Sequence, residues 1–166
     1  MNNIREIYTK AIVAKGKKLS RNTYNFTLTQ LPDEILGCYV TNHHYEPLIK
    51  NHNPKIKGTF DIHVWYSYHD AKDTFVDKYQ ISYNDDMQVS KKDNRDYEED
   101  DTLKARCLQS PKCLSSSFEK QVISIEIEKE MLLEISGETC IKVEVKNEDE
   151  NWDDFLDKEI NPNFIK

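Results

Sequence analysis

The feature that most limits the fold is a run in the middle of the chain, Ile56-Lys57-Gly58-Thr59-Phe60-Asp61-Ile62-His63-Val64-Trp65-Tyr66-Ser67-Tyr68. Ile56, Phe60, Ile62, Val64, Tyr66 and Tyr68 share one parity, whereas Thr59, Asp61, His63 and Ser67 occupy the other. Successive side chains of an extended backbone point to opposite faces, so a period of two predicts a strand with one buried face. Gly58 predicts a bulge or a close backbone approach. Trp65 departs from the pattern. A large aromatic on the polar parity either meets a second layer or is an exposed contact residue.

The next segment mirrors the first. Asp70-Ala71-Lys72-Asp73 suits a turn, after which Phe75, Tyr79, Ile81 and Tyr83 share one face. Folding back there places Tyr68 by Phe75, Val64 by Tyr79 and Phe60 by Tyr83. Aromatic and β-branched pairs of this kind each stabilise an antiparallel sheet by roughly 0.2–1 kcal/mol. A long, tyrosine-rich hairpin is therefore the expected centre of the fold.

Other segments read as shorter strands. The β-branched run Ile7 to Val13 favours strand over helix, Lys15-Gly16-Lys17-Lys18 reads as a turn or bulge, and Tyr24, Phe26 and Leu28 alternate. Leu31-Pro32 ends that strand, and Ile35 to Val40 forms another. Residues 41–55, with three histidines and two prolines, read as a long loop. Residues 91–101 hold six acids and read as a solvated loop, and Ser115-Ser116-Ser117 as a flexible link. Ile123, Ile125 and Ile127, then Met131, Leu133 and Ile135, then Ile141, Val143 and Val145 predict a three-strand meander, with Gly137 in a tight turn. Together these predict a mainly β chain, a single antiparallel β-sandwich or barrel-like domain.

The end of the chain differs. Trp152, Phe155, Leu156 and Ile160 lie at helical spacing among acids, so a short acidic helix is expected from Asn151, stopped by Asn161-Pro162. Its apolar stripe has two outlets, its own domain or another chain. The second is preferred, because one-sided acidic-aromatic segments suit recognition. The partner-binding candidates are Trp152, Phe155, Leu156, Ile160 and Phe164, with Trp65 on the sheet.

Charge and composition exclude several classes. Of the net −7, residues 147–166 carry −5, from seven acids and two lysines, leaving −2 for the preceding 146 residues. A body without a basic excess disfavours nucleic acid and anionic membrane surfaces. No apolar run is long enough to span a bilayer, so direct membrane insertion is not expected. The polar N-terminus, without a signal region, and four cysteines with no zinc-knuckle spacing suit a reducing cytoplasm.

No catalytic constellation or cofactor motif emerges. The four glycines are isolated, and no nucleophile elbow or paired metalloprotease histidines occur. Cys38, His43, His44 and His52 lie close in sequence, but adjacent histidines on an extended backbone point apart, so a polar surface loop is read there, not a metal site. Glu126 and Glu128 read as the wet face of a strand. No enzyme, metal or cofactor is expected.

Several stretches resemble the CotE family of outer spore coat morphogenetic proteins. They are Arg5 to Lys18, Ile35-Leu36-Gly37 with Asn42-His43, Gly58 with Asp61-Ile62-His63-Val64-Trp65-Tyr66-Ser67-Tyr68, Gly137-Glu138-Thr139, and Glu159-Ile160-Asn161-Pro162-Asn163-Phe164. None is a catalytic signature, and they keep their order along nearly the whole chain. The acidic tail is shorter and less continuous than the family's. The resemblance implies a non-enzymatic protein of the mother-cell cytoplasm, later of the spore coat, that binds itself and other spore coat proteins. On that reading residues 1–146 form a β-rich self-associating domain and residues 147–166 an acidic partner-binding tail. A carbohydrate-binding β-sandwich is the competing class, with Trp65, Tyr39 and Tyr45 as a stacking platform.

Overall fold

The structure, a computed structural model, describes residues 3–145. Seven strands follow in order: β1 (Asn3–Thr27), β2 (Glu34–Lys50), β3 (Asn53–Tyr68), β4 (Asp73–Asp86), β5 (Ser90–Lys91), β6 (Thr102–Glu119) and β7 (Val122–Val145). They form two sheets, ordered β5-β1-β7-β6 and β2-β3-β4. Among the described residues there is no helix, and the helix expected at 151–160 lies outside them. The expected antiparallel, mainly β architecture is thus found.

The described residues divide into two compact units, Lys10–Thr139 and a smaller one of residues 3–9 with 140–145. In the larger unit the two sheets share a core. Phe60, Ile62, Val64 and Tyr66 of β3 pack with Leu28 and with Ile123, Ile125 and Ile127 of β7. A second cluster joins Val13, Ala14, Ile56 and Met87 to Met131, Leu133 and Ile135. In the smaller unit, the described ends of β1 and β7 carry an ion pair, Lys142 Nζ to Glu6 Oε1 at 3.4 Å.

The central hairpin is present, but its register is two residues from the expected one. Phe60 faces Ile81, Val64 faces Asp77 and Tyr68 faces Asp73. The reversal falls on His69–Lys72, where His69, Asp70 and Ala71 take φ of 54°, 54° and 58°, so the strands close one residue earlier on each side. A shift by two preserves every side chain's face. Two residues expected on the wet face are nevertheless buried, Asp61 and Ser67, the Ser67 carbonyl accepting from the Asp33 amide at 2.8 Å.

Other expectations are corrected. Residues 41–55 are not a loop. Asn51 and His52, with φ of 51° and 61°, make a two-residue turn between β2 and β3, the geometry that matches strand twist. The polar character of 41–44 instead marks a bulge between Thr41 and His44. Lys15-Gly16-Lys17-Lys18 is not a turn, because β1 runs through it. Gly16 is there since any Cβ would strike the Gln88 carbonyl. Ser115–Ser117 belong to β6 and pair with Glu126, Ile125 and Ser124.

The three-strand meander is one strand, β7. Its inward parity never breaks: Ile123, Ile125, Ile127, Lys129, Met131, Leu133 and Ile135 are all buried. Lys129 was the missing link, a charged residue at an interior position. Gly137 continues the same parity, and makes room for an ion pair. A Cβ there would strike the Arg95 guanidinium and the Asp101 carboxylate, which meet at 2.6 Å. The acidic segment 92–101 is accordingly pinned at these two residues. Asp101 is almost fully covered, and the Arg95 guanidinium holds its carboxyl below the usual carboxylate range.

Candidate partner-binding surfaces

The outer face of the β2-β3-β4 sheet carries two exposed aromatics, Trp65 and Tyr39. Trp65 is 44% exposed and lies between Gly37 of β2 and Val76 of β4. A Cβ on Gly37 would reach only ordinary contact, 3.9 Å from Trp65 Cε3, so the glycine leaves the flank of the indole open. A bulge between Ile35 and Gly37 turns Leu36 outward. One register step along, Tyr39 stacks on His63 with centroids 4.8 Å apart and planes 2° from parallel. His63 Nε2 lies 2.8 Å from Thr41 Oγ1.

Polar groups continue the face. Asp61 Oδ2 accepts from Asn42 Nδ2 at 2.6 Å and from Lys78 Nζ at 2.9 Å, which hold its carboxyl below the usual range. Asn42 reaches it from the bulge, where its φ is 53°. Beyond lies an open hollow of about 660 Å³ lined by Glu46, Lys57, Thr59, Ser82 and Asn84. Lys57 and Glu46 are paired across it at 2.6 Å. Gly58 forms its floor, and a Cβ there would lie 2.6 Å from the Tyr83 ring, the close approach expected at this glycine.

Beneath that floor the interior is polar. Lys129 Nζ meets Asp85 Oδ2 at 2.7 Å and sits 4.1 Å from the centre of the Tyr83 ring. The Tyr83 hydroxyl lies 2.7 Å from His43 Nε2. Burial, then the Lys129 charge, pushes the His43 pKa down, while burial and Asp85 push that of Tyr83 up. His43 therefore faces inward and His44 lines the hollow, while His52 sits in the β2–β3 turn and Cys38 further back on β2. The four are not brought together. Among the described residues, no group of three or more histidine, cysteine or acidic side chains is placed to hold a metal ion.

The smaller unit offers a different surface. Its residues 4–9 are exposed throughout, with Ile4 at 59%, Ile7 at 47% and Tyr8 at 78% exposed. Among the described residues both faces of this part of β1 are exposed, and Ile141 on β7 is exposed as well. Of the candidate residues, Trp65 is exposed on the outer face of its sheet. Trp152, Phe155, Leu156, Ile160 and Phe164 lie outside the described residues. The run Ile7 to Val13, expected as strand from its β-branched residues, lies within β1.

The molecule is thus an antiparallel β protein whose distinguishing surfaces are exposed aromatic and aliphatic side chains. The chain matches the family described as Outer spore coat protein E (CotE) over residues 3–164, nearly its full length, and belongs to that family. It is a spore coat protein by that membership, in a structural family not known for enzymes. No curated protein and no solved structure matches it. No helix among the described residues is long and apolar enough to cross a membrane.

Proposed function

We propose that this protein is a non-enzymatic scaffold that self-assembles around the developing spore, from the mother-cell cytoplasm, and recruits outer coat or exosporium proteins. Family membership over residues 3–164 carries this reading. The surface chemistry supports it. A strand end with apolar side chains on both faces gains by adding another chain, since a two-stranded ribbon is marginal alone. Deleting residues 1–9 spares Val13 and Ala14 of the core. Light scattering on the full chain should give concentration-dependent multimers without ligand, and the truncated chain should stay folded with smaller assemblies. A multimer of undiminished size places the contact elsewhere.

Recruitment is assigned to residues 147–166 through Trp152, Phe155, Leu156, Ile160 and Phe164, with exposed Trp65 as the second candidate. Aromatic anchors dominate such contacts, each worth about 2 kcal/mol or more at a hot spot. Surrounding carboxylates speed encounter with a basic partner, so capture weakens with salt. Trp152→Ala with Phe155→Ala should lose coat-protein capture from sporulating-cell lysate while the multimer persists.

A carbohydrate-binding module is the second reading, favoured by the Trp65–Tyr39 face beside the hydroxyl- and amide-lined hollow. Tyr45 fits it less well, since its hydroxyl accepts from the Cys107 amide at 3.2 Å. A protein that stays small and binds glycans would decide for it.

A further inference from the structure

We propose that Cys38 and Cys113 form an intrachain disulfide that ties the two sheets together along their β2–β6 side. Cys38 faces Val64 across its ladder, and Cys113 faces Ile127 across the other. Val64 and Ile127 belong to one core cluster, and both cysteines pack against it, one from each sheet. β2 and β6 lie alongside one another, and Cys113 is close enough to Cys38 to perturb its thiol. Both cysteines are free in this structure and partly exposed. The remaining two are placed differently. Cys107 pairs with Met131 beside the other cluster, and Cys140 is exposed in the smaller unit.

The chemistry is thiol–disulfide exchange with a small-molecule disulfide such as oxidised glutathione. The Cys113 thiolate attacks one sulfur of the donor and expels a glutathione thiolate. The Cys38 thiolate then attacks Cys113 Sγ and expels the second. Two S–H bonds and the donor S–S bond are exchanged for one protein S–S bond and two glutathione thiols, so electrons and protons balance. Burial, with Cys113 beside it, pushes the Cys38 thiol up to about 12. The closing step is therefore slow near neutrality and faster in alkali, because the thiolate is the nucleophile.

The test incubates the full chain, alone and mixed with isotope-labelled chain, with oxidised glutathione at neutral and alkaline pH, followed by peptide mapping. The expected product is a Cys38–Cys113 linked peptide within one chain, forming faster in alkali, with Cys107 and Cys140 joined to neither. Cys107→Ser should keep the link, and Cys38→Ser or Cys113→Ser should lose it. The oxidised chain should melt roughly 5 °C or more above the reduced one, since the loop closed takes in β3, β4 and β5. Glutathione adducts without closure on the folded chain, a link to Cys107 or Cys140, or a link between labelled and unlabelled chains would each overturn the proposal.

Discussion

Lys129 concentrates the physics of this core in one side chain. It is 2% exposed and stands between Ile127 and Met131, where an aliphatic residue would continue the pattern. Asp85 and the face of Tyr83 supply the compensation that a buried ammonium requires. Removing one partner of such a pair leaves the other desolvated, at a cost of roughly 3–5 kcal/mol. Lys129→Met should therefore lower the stability read from urea unfolding by that order. Adding Asp85→Asn should recover most of the loss, because a neutral amide no longer needs the cation. If the single change costs nothing, the pair is wet and Lys129 is not interior.

At the scale of the element, β7 is held on both sides through acids on its outer parity. Glu128 accepts from Arg21 Nε of β1 at 2.6 Å and from Gln109 Nε2 of β6 at 2.7 Å. Glu134 meets Lys15 of β1 at 3.0 Å and Arg106 of β6 at 2.6 Å. Gln109 and Arg21 lower the pKa of the first carboxyl, and Lys15 and Arg106 that of the second. A carboxyl held low in the folded chain takes up its proton at lower pH than in the unfolded chain. Its stabilisation is complete above the ordinary glutamate value of about 4.3 and drains as pH falls through the lower folded values. The melting temperature should drop steeply on that acid limb. Glu128→Gln with Glu134→Gln should flatten the limb, and an unchanged slope would show that other carboxyls set it. These same acids made β7 hard to read: Glu128-Lys129-Glu130 looks like the polar break between two strands, and only the unbroken odd parity argues otherwise.

Over the whole molecule, the faces were legible and the connections were not. Alternation assigned Phe60, Ile62, Val64, Ile123 and Ile125 to the core, and the tryptophan on the polar parity, Trp65, is exposed. Strand length escaped, because a charged residue with a distant partner, such as Lys129 with Asp85, reads locally like a turn. Glycines misled for a related reason. Gly16 and Gly137 answer to Gln88 and Arg95, neighbours that a local reading does not supply. The topology that resulted also sets an order in time. β2, β3 and β4 are consecutive hairpins, whereas β1 takes its place between β5 and β7, the last described strand. Closing long loops is slow compared with zipping a hairpin. On a ribosome the three-stranded sheet can form while β1 still waits, an unfinished edge, for nearly the entire chain to emerge. Pulsed hydrogen exchange during refolding should protect Phe60 to Ile81 early and Val13 with Leu133 late, and the reverse order would refute it. A nascent chain of this kind is most exposed to misassembly with its own siblings in the interval before β7 arrives.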